Sequence, residues 1–358
     1  MRLGVSLPSL DHSFGEIAEF AWAAEQAGLD AVWNYEVFKN PFIMHALTAQ
    51  RTRSIDLCIG ITSFLLRTPF AMANAAVDVA KISGGRLKVG IGPGTPGLMD
   101  VYAGVDVDRP VARTREYLEV LKLALNHLAT GTEAAYEGRF QRFGAPATIW
   151  GARIDGDTPV PIYLGAVRPK MLQLAGEVAD GIIGYLLDPD YIAAVVRPSL
   201  AAGAERAGRN PKDIDVVSYT ICCCNRDRDV ALRWARVQVG IYVAHPNNRM
   251  SAEAAGLYKE TAEVLATLEK HGPAALAEVT DDKLVRMFSI SGTPEECRQQ
   301  ATAYEGSVDE ICLHTPYVPP FTVEETTAAF EGIIAAFGGG ISEPEALVVS
   351  VPNRGSGA

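Results

Sequence analysis

No run of eighteen apolar residues occurs anywhere in the 358-residue chain, so no segment reads as a membrane-crossing helix. The opening "MRLGVSLPSL" enters a strand-like run without the apolar core of a signal peptide, and a cytoplasmic location is expected. Basic residues are outnumbered 32 to 43, a formal charge of −11. That balance argues against nucleic acid or an anionic membrane as the main partner, though a few local cations suffice for a small anion. The six cysteines (Cys58, Cys222, Cys223, Cys224, Cys297, Cys312) form no C-x-x-C pair. Without imidazole or thiolate at ligand spacing no metal is expected, and they read as small residues packing buried strands. No G-x-G-x-x-G follows the first strand, which removes the usual signature of a doubly wound dinucleotide fold.

What is present is an alternation of short apolar runs with amphipathic stretches. Strand-like "RLGVSL", "DAVWN", "IDLCIGIT" and "RLKVGIG" are followed by "VPIYLGA", "ADGIIGYLL", "IDVVSYTICCC" and "VDEICLH". Between them lie helical patterns, such as Phe14 to Ala27, Phe42 to Thr52, Arg113 to Ala129, Pro169 to Glu177 and Tyr191 to Ala207. In "SISGTPEECRQQATAYEGSVDEICLH", Thr293 is an N-cap, Pro294 takes the first helical position and Glu295 and Glu296 fill the first turn. The order helix, glycine, aspartate, strand there repeats the order around Gly28 and Asp30. Eight such units predict a (β/α)8 TIM barrel over residues 1–337, with a small hairpin ("EAAYEGRFQRF") before strand five. A helical insertion follows strand seven, from Asp229 to about Val279, and residues 338–358 read as an arm or disordered tail.

A barrel of this kind works at the C-terminal ends of its strands. Those ends carry Ser6 and Pro8, then Asn34, Tyr35 and Glu36, then Gly60, Ile61, Thr62 and Ser63. Further round come Gly92, Gly94 and Thr95, then Gly165, Ala166, Val167, Arg168, Pro169 and Lys170, then Gly184 and Tyr185, Asn225 and His314. The rim has no paired carboxylates and no His/Asp cluster, which disfavours a two-carboxylate hydrolase or a metal-dependent lyase. It is glycine-rich, with Arg168 and Lys170 at the head of a helix, a pattern that holds phosphate. Such a rim implies that an anionic cofactor carries the reaction.

The segments "DAVWNYEVF", "GITSFLLRTPFAMANAAVDVAKISGGRLKVGIGPG", "EYLEVLKLAL" with "YEGRF", "PIYLGAVRPKMLQLAGEVADGII" and "SGTPEECRQQATAYEGSVDEICL" together resemble the bacterial luciferase-like monooxygenase superfamily. Within it they are most similar to the deazaflavin branch, the coenzyme F420-dependent oxidoreductases that include methylenetetrahydromethanopterin reductase. The resemblance spans roughly residues 1 to 335. It implies coenzyme F420 (alternatively FMN) as cofactor, a homodimer, and a non-prolyl cis peptide at Gly60–Ile61 in a bulge backing the cofactor ring. It assigns Asn34, Gly60, Ile61, Thr62, Gly92, Gly94, Gly165 to Lys170, Gly184 and Tyr185 to the cofactor. Arg168 stands where the family has a small residue, and it either crowds the phosphate, clamps it or faces solvent. At the second-strand end, usually W-x-x-D-H, Glu36 replaces the aspartate and Val37 the histidine. Thr95 stands where sugar-phosphate dehydrogenases of the branch have an acid. Both departures disfavour alcohol oxidation by a His/Glu pair. Tyr35 and Glu36 are the candidate proton donors, and His245, Trp150 and Thr95 the candidate substrate contacts. The expected activity is hydride transfer from reduced deazaflavin to a C=C, C=N or carbonyl group. A two-component FMN monooxygenase and a catalytically silent cofactor-binding barrel are the alternatives.

Overall fold

The computed structural model describes residues 1–339, apart from 11, 38, 95–100, 103, 105–106, 148–158 and 246–247. Its first strands and helices are β1 (Arg2–Ser6), α1 (Phe14–Gln26), β2 (Ala31–Asn34), α2 (Pro41–Arg51), β3 (Asp56–Ser63), α3 (Pro69–Ser83) and β4 (Leu87–Gly92). A hairpin of β5 (Ala134–Glu137) and β6 (Arg142–Ala145) precedes β7 (Ile162–Gly165), β8 (Gly181–Tyr185) and β9 (Asp215–Cys224). The last strands are β10 (Ser289–Gly292) and β11 (Glu310–His314). Hydrogen bonding orders the main sheet β10-β9-β11-β1-β2-β3-β4-β7-β8, and β8 pairs in turn with β9. The ring β9-β11-β1-β2-β3-β4-β7-β8 is therefore closed: an α/β fold with an eight-stranded parallel barrel, as the alternation predicts. The hairpin before the fifth barrel strand and the helical insertion after the seventh are both present.

Three local readings differ. Ser289–Gly292, given no element of its own in the sequence, is a ninth strand of the main sheet, pairing in parallel with Ile221–Cys224 of β9. The helix expected from Arg113 begins at Pro110, because Arg109 turns the chain in a left-handed conformation (φ 49) just before it. The helix expected from Tyr191 begins at Pro189 and passes through a π-helical run, Ile192–Val196, before Arg197–Arg206. Pro198 accounts for this: it has no amide hydrogen to give the preceding turn, and its ring pushes that turn's carbonyl away.

By internal contacts the chain forms two compact units, one of Met1–Val32, Tyr185–Pro189 and the chain from Ser218, the other of Trp33–Gly184 with Asp190–Val217. In the first, the insertion buries its own core around Trp234, Val243, Leu276, Val285 and Phe288, packed with Ile221 and Cys223 of β9. Trp234 and Arg233 both donate to the Glu325 carboxylate. The Asp30 carboxylate accepts the Leu3 amide (2.7 Å) while its own amide donates to the Leu3 carbonyl, fixing the start of β2 beside the start of β1.

The second unit repeats the device: Asp180 accepts from Ile162 N–H (2.8 Å) and returns a bond to its carbonyl. The "SGGR" stretch closes α3, with Gly84 and Gly85 at positive φ. Arg86 then spreads its guanidinium over the Ala49, Thr52 and Ile55 carbonyls, binding the end of α2. The "LAGE" glycine, Gly176, lets helix Pro169–Val178 meet Arg197–Arg206 at Gly203, where added Cβ atoms would lie 2.3 Å from Leu200 O and 2.0 Å from Gln173 O. Among the described residues no helix is long and apolar enough to cross a membrane. Of the expected C-terminal arm, residues 340–358 lie outside the described residues.

Candidate active site

In the second unit, β3 runs in register with β4 as far as Ile59 opposite Val89, then resumes with Thr62 opposite Ile91. Gly60 and Ile61 are thus set against Gly90 alone, a β-bulge, and the peptide between them is cis as the resemblance implied. The Ile61 side chain lies over a trough of glycines. A Cβ at Gly92 would meet Ile61 Cδ1 at 2.4 Å, and at Gly165 or Gly90 it would meet Ile61 Cγ2 at 3.3 Å. The expectation gave Gly92 and Gly165 to the cofactor. The structure shows these glycines making room for Ile61.

Glu36, at the end of β2, faces the bulge. Its amide donates to the Ile61 carbonyl (3.0 Å) and its Oε2 accepts the Thr62 hydroxyl (2.6 Å). Arg67 then takes both carboxylate oxygens, Nη1 to Oε2 and Nη2 to Oε1, each at 2.6 Å. Nη1 donates also to Thr62 Oγ1 (3.0 Å). The pair is largely shielded from solvent, at 16% and 10% side-chain exposure, and the guanidinium stacks on Phe42. The Tyr117 hydroxyl donates to the Arg67 carbonyl, and burial raises that phenol above its ordinary range. Glu36 therefore serves here as an acceptor of hydrogen bonds on both oxygens. Tyr35 beside it is half-buried.

Asn34, fully buried, donates weakly from Nδ2 to the Pro41 carbonyl (3.4 Å), and its Oδ1 has no partner. A buried acceptor without a donor is costly, so it marks a place where a ligand or water donates. Gly94, past β4, takes positive φ (76). Ser63 ties the ends of β3 and β4 together, its hydroxyl donating to the Pro93 carbonyl. At the end of β7, Ala166 N–H donates to Ile183 O beside Gly184, and the Tyr191 hydroxyl holds the Val167 carbonyl (2.9 Å). Arg168, Pro169 and Lys170 are exposed at the head of helix Pro169–Val178, with Arg168 as its N-cap and no side-chain cap bond.

In the first unit, Tyr185 belongs to an aromatic group that sequence reading did not assemble. Tyr185, Tyr219 and Tyr317 rings surround His314, with centroids 5.5, 4.7 and 5.1 Å away. Burial pushes the His314 imidazole down to about 3, so it is neutral at physiological pH. Ser6 Oγ accepts the Thr315 amide (2.9 Å) and lies 2.8 Å from His314 Nδ1. The two are hydrogen-bonded, the donor being set by the tautomer of the ring. Gln238 Oε1 accepts the Tyr317 and Val318 amides, and the Tyr242 and Tyr317 hydroxyls share a short hydrogen bond. His245 caps helix Arg228–Ala244 and is half-buried. Thr95 and Trp150 lie outside the described residues. One signal was available for part of this group: Gln238 and Tyr242 are four apart on one helix and so share a face. Arg67 sat in a quoted block, "RTP", without a role.

The family model for luciferase-like monooxygenases matches residues 1–310. The chain belongs to that family, a family of oxidoreductases. It is 33% identical over 310 residues to the 5,10-methylenetetrahydromethanopterin reductase of Methanolobus tindarius, covering 85% of this chain and 91% of the relative. The enzyme of that name from Archaeoglobus fulgidus is 30% identical over 330 residues, covering 89% and 95%. Among solved structures, the coenzyme F420-dependent tetrahydromethanopterin reductase of Methanopyrus kandleri aligns with a TM-score of 0.77 at 26% identity, covering 92% of this chain and 97% of that one. An F420-dependent secondary alcohol dehydrogenase bound to an F420–acetone adduct shares the fold, with a TM-score of 0.70 at 19% identity over 94% of this chain and 98% of that one.

Proposed function

We propose that the protein is a coenzyme F420-dependent oxidoreductase, and that it works as a reductase on a C=C, C=N or carbonyl group of a small molecule. The names of the relatives at 33% and 30% identity support the cofactor. The observation that carries the reading is the β3 bulge with Ile61 over its glycine trough and the unpartnered Asn34 Oδ1, all in one unit. These residues fit a flat deazaflavin: Ile61 offers an apolar support, and Asn34 an acceptor for a ring N–H. Arg168, Lys170 and the helix head behind them suit an anionic tail. Reduced deazaflavin, when bound, supplies a hydride.

The chain's own residues orient that cofactor and supply a proton. Glu36, held by Arg67, is poorly arranged to give one, which leaves Tyr35 and solvent as sources. Val37 and Thr95, which replace the histidine and acid of the alcohol-oxidising pattern, favour reduction over oxidation. His245 and Trp150 are kept as substrate contacts of this reading. Ile43, Leu47, Phe70 and Ile82 on α2 and α3 are each between 41 and 51% exposed, which supports a second copy of the chain as the partner of these two helices. All six cysteines are buried and none is in a disulfide, in keeping with a reducing cytoplasm.

The test is anaerobic equilibrium binding of coenzyme F420 and FMN, both redox states, side by side. Preference for F420 by tenfold or more is expected. A tenfold preference for FMN would replace this reading with the two-component monooxygenase. Binding of either cofactor without turnover of any C=C, C=N or carbonyl substrate would leave the silent barrel.

A further inference from the structure

We infer that Glu36 and Arg67 form a brace that positions the β3 bulge, and that Glu36 is a positioning residue rather than the proton donor. The inference rests on the proposed cofactor site, since the bulge is that site's support. Glu36 grips the bulge from two sides: its amide holds the Ile61 carbonyl, and its carboxylate holds the Thr62 hydroxyl. Ile61, the first of the two gripped residues, has its side chain seated on Gly90, Gly92 and Gly165. A carboxylate on a flexible side chain would not hold such a position by itself. Arg67 removes the freedom, because a planar guanidinium meeting both oxygens fixes the carboxylate's rotation as well as its place.

Arg67 is held in turn. Phe42 lies under its guanidinium, and the Tyr117 hydroxyl fixes its carbonyl. Thr62 closes the loop by donating to Glu36 and accepting from Arg67 at once, so three side chains share one network. The network spans the end of β2, the bulge of β3 and the turn leading into α3. Both Glu36 oxygens are engaged by donors, Oε2 by Thr62 and Arg67 and Oε1 by Arg67.

The experiment compares wild type with Arg67→Ala, Arg67→Lys, Glu36→Gln and the Glu36→Gln/Arg67→Ala double variant. Hydrogen exchange of the cofactor-free protein is the first readout. The Glu36 amide and the 59–64 segment should exchange at least tenfold faster in Arg67→Ala, with Leu87 to Ile91 unchanged. Affinity for coenzyme F420 is the second: Arg67→Ala should raise the Kd at least tenfold, and the double variant should stay within twofold of it. Arg67→Lys, which keeps the charge but not the two-point grip, should fall between, and it serves if Arg67→Ala does not fold. The third readout is the pH profile of kcat, whose shape Glu36→Gln should leave unchanged. Exchange and Kd within twofold of wild type in both Arg67 variants would overturn the brace. Loss of turnover and of one limb of the pH profile in Glu36→Gln, with cofactor affinity intact, would make Glu36 the proton donor instead. If wild type binds neither F420 nor FMN, the proposed function fails, and the exchange data still decide whether the brace exists.

Discussion

Ile61 Cδ1 lies where a side chain at Gly92 would begin, 2.4 Å from the position of its Cβ. Gly92→Ala therefore displaces the far end of Ile61, which can swing, and a cost of about 1–2 kcal/mol is expected. Gly90→Ala meets the Ile59 backbone carbonyl at 2.3 Å as well as Ile183, and backbone cannot swing. It should cost more than Gly92→Ala in urea unfolding. Shortening Ile61 to alanine in the Gly92→Ala background should remove most of the interaction penalty; an additive double variant would contradict the contact.

Arg168→Ala should weaken binding of coenzyme F420 by about 1–2 kcal/mol, toward the low end for a charge-assisted bond because the side chain is exposed. Raising salt should shrink the difference. An unchanged dissociation constant would return Arg168 to solvent, with Lys170 as the next cation to replace.

Two buried imidazoles make the fold sensitive to acid. Burial lowers His45 from 6.5 to about 4, and His314 from 6.5 to about 3. In the window between those values and 6.5 the unfolded chain binds the extra protons, so stability rises with pH. Stability is full above about 6.5 and is lost as pH falls toward the folded-state values, at up to about 1.4 kcal/mol per unit for each histidine. Urea unfolding at pH 7.5 and 5.5 should show the drop, and His314→Asn should make the difference between the two pH values smaller.

Ile43 and Leu47 are one helical turn apart and exposed on α2, which packs against α3, where Phe70 and Ile82 are exposed too. Wild type is expected to be a dimer by light scattering at micromolar concentration, and Leu47→Glu a monomer with its fold retained. A monomeric wild type would end the proposal.

Much of the architecture was legible because it is local. Capping boxes at Ser13–Glu16, Thr293–Glu296 and Thr322–Glu325 start their helices within four residues of sequence, and the barrel follows from strict alternation. The family blocks were legible as blocks, but their meaning was not. "SGGR" is an arginine gripping the end of a neighbouring helix, and the glycine of "LAGE" is the crossing point of two others. Of the rim residues, Glu36 was found while its partner was missed, because Arg67 is 31 positions away and nothing local signals an ion pair. Tyr242 and Tyr317 are 75 apart and meet only in the folded chain. β10 was missed for a different reason: four residues are too few for a period to show.

Asp30 and Asp180 carry a last consequence. Each stands at the entry of a strand and grips the entry of the strand before it with a side-chain and a main-chain bond. Alignment of those neighbours is thus settled at the end of the barrel away from the chemistry. The loops at the other end need not contribute to it. Loop exchange after β1 is then a change of tool on an unchanged handle, and a new substrate preference can be grafted there without asking the strands to find one another again.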